Sequence, residues 1–133
     1  MEELHVTRAH WRKMRRHVSA AAPLEACGLL AGRDAEVQRV IEMRNALQSP
    51  VRFKLDPREQ LRAFDQIEAE GMELLGIFHS HPAGPETLSA TDVAESAYDV
   101  VHVVWSRPRR AWKARLFRIK DQVAVEVALR VLS

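Results

Sequence analysis

His79-Ser80-His81-Pro82, with Ser89 and Asp92 beyond it, is the stretch of this chain whose residue types and spacing could do chemistry. Side chains alternate with period two on a strand, so the two imidazoles point to one face there. Leu74-Leu75-Gly76-Ile77-Phe78 reads as a buried strand that delivers both histidines at its C-terminal end. Asp92 adds a carboxylate after a short loop. Two His nitrogens and one Asp oxygen make a zinc ligand set that leaves the fourth tetrahedral position open for water, the pattern of a catalytic site. The plainer alternative is a hydrogen-bonded histidine pair, since imidazoles buried without partners are costly. Asp92 tips the balance toward a metal.

Ser89-Ala90-Thr91-Asp92 has a second explanation as a capping box, with Ser89 as N-cap and Asp92 at the third helical position. The two are compatible. A helix start fixes Asp92 in the first turn and leaves the Ser89 hydroxyl facing the same cavity. Glu25 precedes Ala26-Cys27-Gly28-Leu29-Leu30, a place where an acid is ordinarily a solvated loop residue. Beside a zinc site it could instead take a proton from water and pass it to a leaving nitrogen.

The elements that position these residues follow from periodicity and punctuation. Leu4 to Val6 reads as a short strand and Thr7 as the N-cap of a helix with an apolar stripe at Trp11, Met14 and Val18. Arg8, Arg12, Arg15 and Arg16 gather on a neighbouring face, which is either solvated or available to an acidic partner. The helix ends near Ala21-Ala22-Pro23. Strands are expected at Cys27–Ala31 and Glu36–Met43, turning around Gly32-Arg33-Asp34, and at Val51–Leu55 by alternation. Asp56-Pro57-Arg58-Glu59 starts a helix with an acid cap, Pro at its first position and a capping-box Glu. Its expected buried face is Leu61, Phe64 and Ile67, and Gly71 stops it. After the histidine strand come a loop with Pro82, Gly84 and Pro85, a short helix beyond Ser89, and a hairpin of strands at 100–105 and 112–119. Residues 123–132 read as a final strand, although their alternation fades.

With 133 residues the chain is expected to be one domain, 1–133, large enough for a core without cross-links. A net charge of +2 gives no support to nucleic-acid binding. The single cysteine, Cys27, excludes an internal disulfide and reads as a packed thiol, since nothing near it in sequence would depress its pKa. Met1-Glu2-Glu3-Leu4-His5 has no apolar signal core, and no apolar run is long enough to span a bilayer, so a cytoplasmic protein is expected. His5, His10, His17 and His102 show no ligand spacing.

Taken jointly, Glu25, His79-Ser80-His81-Pro82, Ser89 and Asp92 resemble the complete JAMM (MPN+) metalloprotease signature: an upstream Glu, His-x-His, ten residues, then Asp, with Ser three before it. Pro23 to Leu30 is similar to the segment carrying the family's Glu, and Phe53 to Leu61 is also similar. The resemblance covers nearly the whole chain. It implies an α/β, single-domain MPN fold resembling cytidine deaminases, with a mixed, curved β-sheet flanked by helices. It also implies one Zn2+ held by His79, His81 and Asp92 with a bound water, Glu25 as general acid/base, and Ser89 as donor to the developing oxyanion. All five positions are filled, so an active enzyme is expected. The chain lacks the insertions of the eukaryotic ubiquitin-chain cleavers and resembles the small prokaryotic members. Those cut after the C-terminal Gly-Gly of ubiquitin-like sulfur-carrier proteins, releasing cysteine, a peptide or a conjugated lysine, with the tail expected to add as a strand to a sheet edge.

Two other functions compete. A zinc deaminase would need His-x-Glu and Pro-Cys-x-x-Cys, which one cysteine cannot supply, and the thermolysin His-Glu-x-x-His is absent. A non-catalytic MPN-type module that binds ubiquitin-like tails is the remaining alternative, although a scaffold has no use for an open zinc position. No nucleic acid or membrane is expected as partner, and homodimerisation stays open.

Overall fold

The computed structural model describes residues 3–132; Met1, Glu2 and Ser133, which the N-terminal and 1–133 domain expectations include, lie outside them. The chain begins as β1 (Glu3–Thr7) and turns into α1 (Arg8–Ala21), where the Thr7 hydroxyl accepts from the His10 amide at 3.2 Å. Met14 and Val18 are fully buried, and Trp11 stacks at 4.5 Å on Trp105, as the helical stripe requires. Then follow β2 (Cys27–Arg33), β3 (Glu36–Met43), α2 (Pro57–Ala69), β4 (Glu73–His81), α3 (Ala90–Ala94), β5 (Val101–Ser106), a 3-10 turn (Pro108–Arg110), β6 (Lys113–Lys120) and β7 (Val123–Leu132).

The mixed sheet is closed, in the order β1-β3-β2-β4-β5-β6-β7. Residues 123–132 are strand throughout, and β7 runs parallel to β1 from Glu3↔Ala128 to Thr7↔Leu132. β1 and β3 meet at one register pair, His5↔Glu36, so the loose seam of the barrel lies there. β4 is paired on both sides, antiparallel to β2 and parallel to β5. A tail adding as a strand must therefore use the seam or an irregular segment, not β4. One core gathers Leu4, Val6, Met14, Phe78 and Trp105 against α1; a second gathers Cys27, Leu29, Ile77, Ala63 and Ile67 against α2.

Three expectations are corrected. Val51–Leu55 forms no strand; Leu55 makes only an isolated bridge to Asn45, and the segment is a loop. Leu61 is 64% exposed, because the buried face of α2 runs through Ala63 and Ile67. At 3.6 residues per turn, Leu61 lies about 200° from Ala63 and points away. Asp56 does cap α2, accepting from the Arg58 and Glu59 amides, but the Glu59 carboxylate accepts from the Arg44 amide at 2.7 Å instead of closing a capping box.

Cys27 is fully buried beside the β2–β4 register pair with His79, and burial, then the Glu59 and Glu25 carboxylates, push its thiol up to about 12. A thiol reagent at pH 8 is expected to find no cysteine in the folded protein and one per chain in denaturant; rapid native labelling would contradict this packing. The β2–β3 and β6–β7 hairpins turn through two residues, Asp34-Ala35 and Asp121-Gln122, all four with φ between 50° and 65°. That is the type I′ pattern, in which Gly is favoured at the second position. Ala35→Gly and Gln122→Gly are each expected to raise stability by about 0.5–1 kcal/mol in urea titration, with the slope unchanged.

Candidate metal centre

β4 carries its histidines at the end of a fully paired strand. His79 lies in register with Cys27 of β2 and Val104 of β5, and both imidazoles are buried, at 0% and 4% exposure. Between them Ser80 turns to β2: its hydroxyl accepts from the Ala26 amide at 2.8 Å, and its own amide donates to the Ala26 carbonyl at 3.1 Å. Asp92 arrives on α3, held by a reciprocal capping box. The Ser89 hydroxyl accepts from the Asp92 amide at 3.0 Å, and the Ser89 amide donates to Asp92 Oδ2 at 2.9 Å. The capping-box explanation of Ser89 and Asp92 is what these bonds show.

His79 Nε2, His81 Nε2 and Asp92 Oδ2 form a nearly equilateral triangle with sides of 3.1, 3.2 and 3.1 Å. Zinc lies about 2.0–2.1 Å from such donors, which sets tetrahedral ligand edges of about 3.3 Å. The chemistry of the donors agrees. His81 Nδ1 donates to the Pro85 carbonyl at 2.9 Å, so in the neutral ring Nε2 carries a lone pair facing the Asp92 oxygen. Acceptor against acceptor at 3.1 Å is repulsive unless a cation sits between them.

A proton on His81 meets the same demand when no metal does. Burial lowers the pKa of His79, keeping it neutral as a ligand must be. Burial also opposes charge on His81, yet Asp92, the Pro85 carbonyl and Glu25 outweigh it and raise its pKa. Burial likewise works against the Asp92 carboxylate, but the two imidazoles and the Ser89 amide hold its pKa well below the usual range.

Glu25 is 3% exposed, and its Oε2 lies 4.0 Å from His81 Nε2. Its ligand atom is within 4.8 Å of those of both histidines, so Glu25/His79/His81 is a second geometric triad. The distances separate the two. At 4.0 Å from His81 Nε2, Glu25 Oε2 lies beyond a tetrahedral zinc–ligand edge. Its Oε1 is buried without a partner, and burial pushes its carboxyl up to about 7, against the lowering pull of His81.

A cavity of about 500 Å³ opens on this corner, lined among others by Phe53, Ile77, His79, Asp92, Tyr98 and His102. A second, of about 360 Å³, reaches Glu25 from the side of Leu24, Met43 and Gln48. Phe53 stacks on His79 with ring centres 4.4 Å apart. His102 faces the larger cavity, bonded to Ser96 Oγ at 3.3 Å and kept neutral by burial, with its pKa lowered to about 4. Sequence spacing missed it. Its signal is the parallel register Ile77↔His102, which puts it on the same sheet face as His79. His5 and His17 bond elsewhere, to Glu3 and the Cys27 carbonyl.

The model for prokaryotic homologs of the JAB domain matches residues 7–118, and the chain belongs to that family. It is similar to a desampylase of Pyrococcus furiosus, 40% identical over 84 residues that make 63% of this chain and 60% of that protein. It is also similar to a probable TtuB-protein conjugate cleaving protease of Thermus thermophilus, 42% identical over 103 residues, 77% of this chain and 69% of that one. A solution structure of a Desulfitobacterium hafniense protein superposes with a TM-score of 0.87 at 34% identity, covering 97% of this chain and 92% of that one.

The two triads make different demands on zinc. Asp92→Ala and His81→Ala are expected to weaken zinc binding by at least about tenfold in chelator competition, while Glu25→Gln keeps one zinc per chain. Loss of zinc in Glu25→Gln would make Glu25 the third ligand.

Proposed function

We propose that this protein is a zinc-dependent JAMM peptidase that hydrolyses the amide bond after the C-terminal Gly-Gly of a ubiquitin-like sulfur-carrier protein. The observation that carries it is the His79/His81/Asp92 triangle with a buried carboxylate, Glu25, standing 4.0 Å from His81 Nε2. Membership of the JAB family and the name of the Thermus relative, a protease that cleaves protein conjugates, support this reading.

His79, His81 and Asp92 would hold one Zn2+, which their donor set fits. Zinc, when bound, supplies a Lewis acid and brings the pKa of its water toward about 7. Glu25, whose Oε2 faces His81, would take a proton from the attacking water and pass it to the leaving nitrogen. A carboxyl with a pKa near 7 can both accept and return a proton at neutral pH. The Ser89 hydroxyl accepts from the Asp92 amide through oxygen, which leaves its O–H to donate to the charge developing on the substrate carbonyl oxygen. No helix among the described residues is long and apolar enough to cross a membrane; we place the protein in the cytoplasm, in keeping with one buried, unpaired cysteine.

The test is a sulfur-carrier protein extended past Gly-Gly, incubated with the zinc-loaded protein and read by mass spectrometry. Cleavage is expected directly after Gly-Gly, and Glu25→Gln is expected to lower kcat by about 10²–10⁴-fold. Cutting at another position, or a Glu25→Gln rate equal to wild type, would overturn the reading.

A further inference from the structure

Glu25 sits in an irregular segment ahead of β2, yet both of its backbone polar groups are bonded, and both to the loop between β3 and α2. Its amide donates to the Ser49 carbonyl at 2.8 Å, and its carbonyl accepts from Asn45 Nδ2 at 3.0 Å. Asn45 is itself buried, at 8% exposure. Its second amide hydrogen goes to the Arg52 carbonyl at 2.9 Å, and its Oδ1 accepts from the Leu47 and Lys54 amides at 3.0 and 3.1 Å. Two donated and two accepted bonds exhaust an Asn side chain. They also fix its orientation, because a flipped amide would set N–H against N–H and oxygen against carbonyl.

The Arg52 carbonyl belongs to the residue before Phe53, whose ring stacks on His79. One side-chain amide thus ties the backbone of Glu25 to the segment that packs on a histidine of the corner. We infer that Asn45 is the positioning residue that sets Glu25 at its working distance from the His79/His81/Asp92 triangle. The inference rests on the role proposed for Glu25. An orienting bond of this kind matters because a displacement of about 1 Å of a reacting group can cost about 10²-fold in rate. Asn45 touches neither substrate nor metal in this account; it acts through Glu25.

Two measurements test it. Amide hydrogen exchange on the wild-type, zinc-loaded protein reads the Asn45 clamp without any reaction: the Leu47 and Lys54 amides, which donate to Asn45 Oδ1, are expected to be slowed at least about 10²-fold relative to unstructured chain. Free exchange at these two sites would overturn the clamp, whether or not the protein cuts its substrate. Activity then reads the positioning. Asn45→Ala is expected to lower kcat by about 10–10²-fold with KM changed less than about threefold and zinc still one per chain. In the Glu25→Gln background the same change is expected to cost less than about threefold, since nothing remains to position. An equal loss in both backgrounds would mean that Asn45 acts elsewhere and would overturn the inference. Asn45→Asp keeps both accepted bonds and loses both donated ones, so it is expected to lose activity as Asn45→Ala does; a wild-type rate would likewise overturn the inference. A wild-type protein that cuts nothing while showing the protected amides would defeat the proposed activity and leave the clamp standing.

Discussion

Two imidazole nitrogens and a carboxylate oxygen converge at the end of β4, where His79 is fully buried, His81 nearly so and Asp92 largely enclosed. Such a corner holds together only with positive charge among its acceptors. A proton can bridge one pair of these atoms at a time, whereas a divalent ion satisfies all three at once. The surrounding fold is arranged so that none of the three can turn away. Pairing on both sides of β4 fixes the histidine backbones, the Pro85 carbonyl fixes the His81 ring, the stacked Phe53 restrains His79, and the capping box of α3 fixes Asp92. The strain of holding acceptors together is carried by ordinary backbone hydrogen bonds far cheaper to satisfy than a buried charge.

Two carboxylates reach the same imidazole, and their surroundings drive them apart. Burial raises both. Asp92 escapes that effect because two imidazole edges and the Ser89 amide stabilise its charged form, so it stays an anion. Glu25 has only His81 at a distance to oppose burial and an oxygen with no partner, so its carboxyl sits near neutrality, where a proton can come and go. Pairs of acids separated in this way divide the work of a hydrolytic site between a fixed charge and a proton carrier.

Much of this was legible in sequence because it rests on local rules. Period two puts His79 and His81 on one face, and the spacing from Ser89 to Asp92 is a helix start whatever else it does. What escaped depends on partners distant in the chain. The closure of the sheet requires Glu3 to find Ala128. The inward turn of His102 depends on a parallel register with Ile77 that no local pattern states. Leu61 is exposed for a related reason: an apolar residue in a helix is buried only if the sheet lies on its side, and here α2 packs through Ala63 and Ile67 on the other.

The loop from Arg44 to Leu55 departs furthest from its sequence pattern. Val51 to Leu55 alternates like a strand, and alternation is a sound signal when the backbone groups have a ladder to join. Here they are already committed. The Lys54 carbonyl accepts from Ala46, the Lys54 amide goes to Asn45 Oδ1, the Arg52 carbonyl takes an Asn45 hydrogen, and the Ser49 carbonyl takes the Glu25 amide. A strand over 51–55 would spend the Arg52 and Lys54 groups on a neighbouring strand and strip Asn45, which holds the Glu25 carbonyl, of two of its partners. The segment is irregular because Glu25, inside the protein and outside any strand, needs an irregular partner to satisfy it. The same loop lays Phe53 on His79, so the departure from regular structure is what brings Glu25 and the His79/His81/Asp92 corner under one constraint.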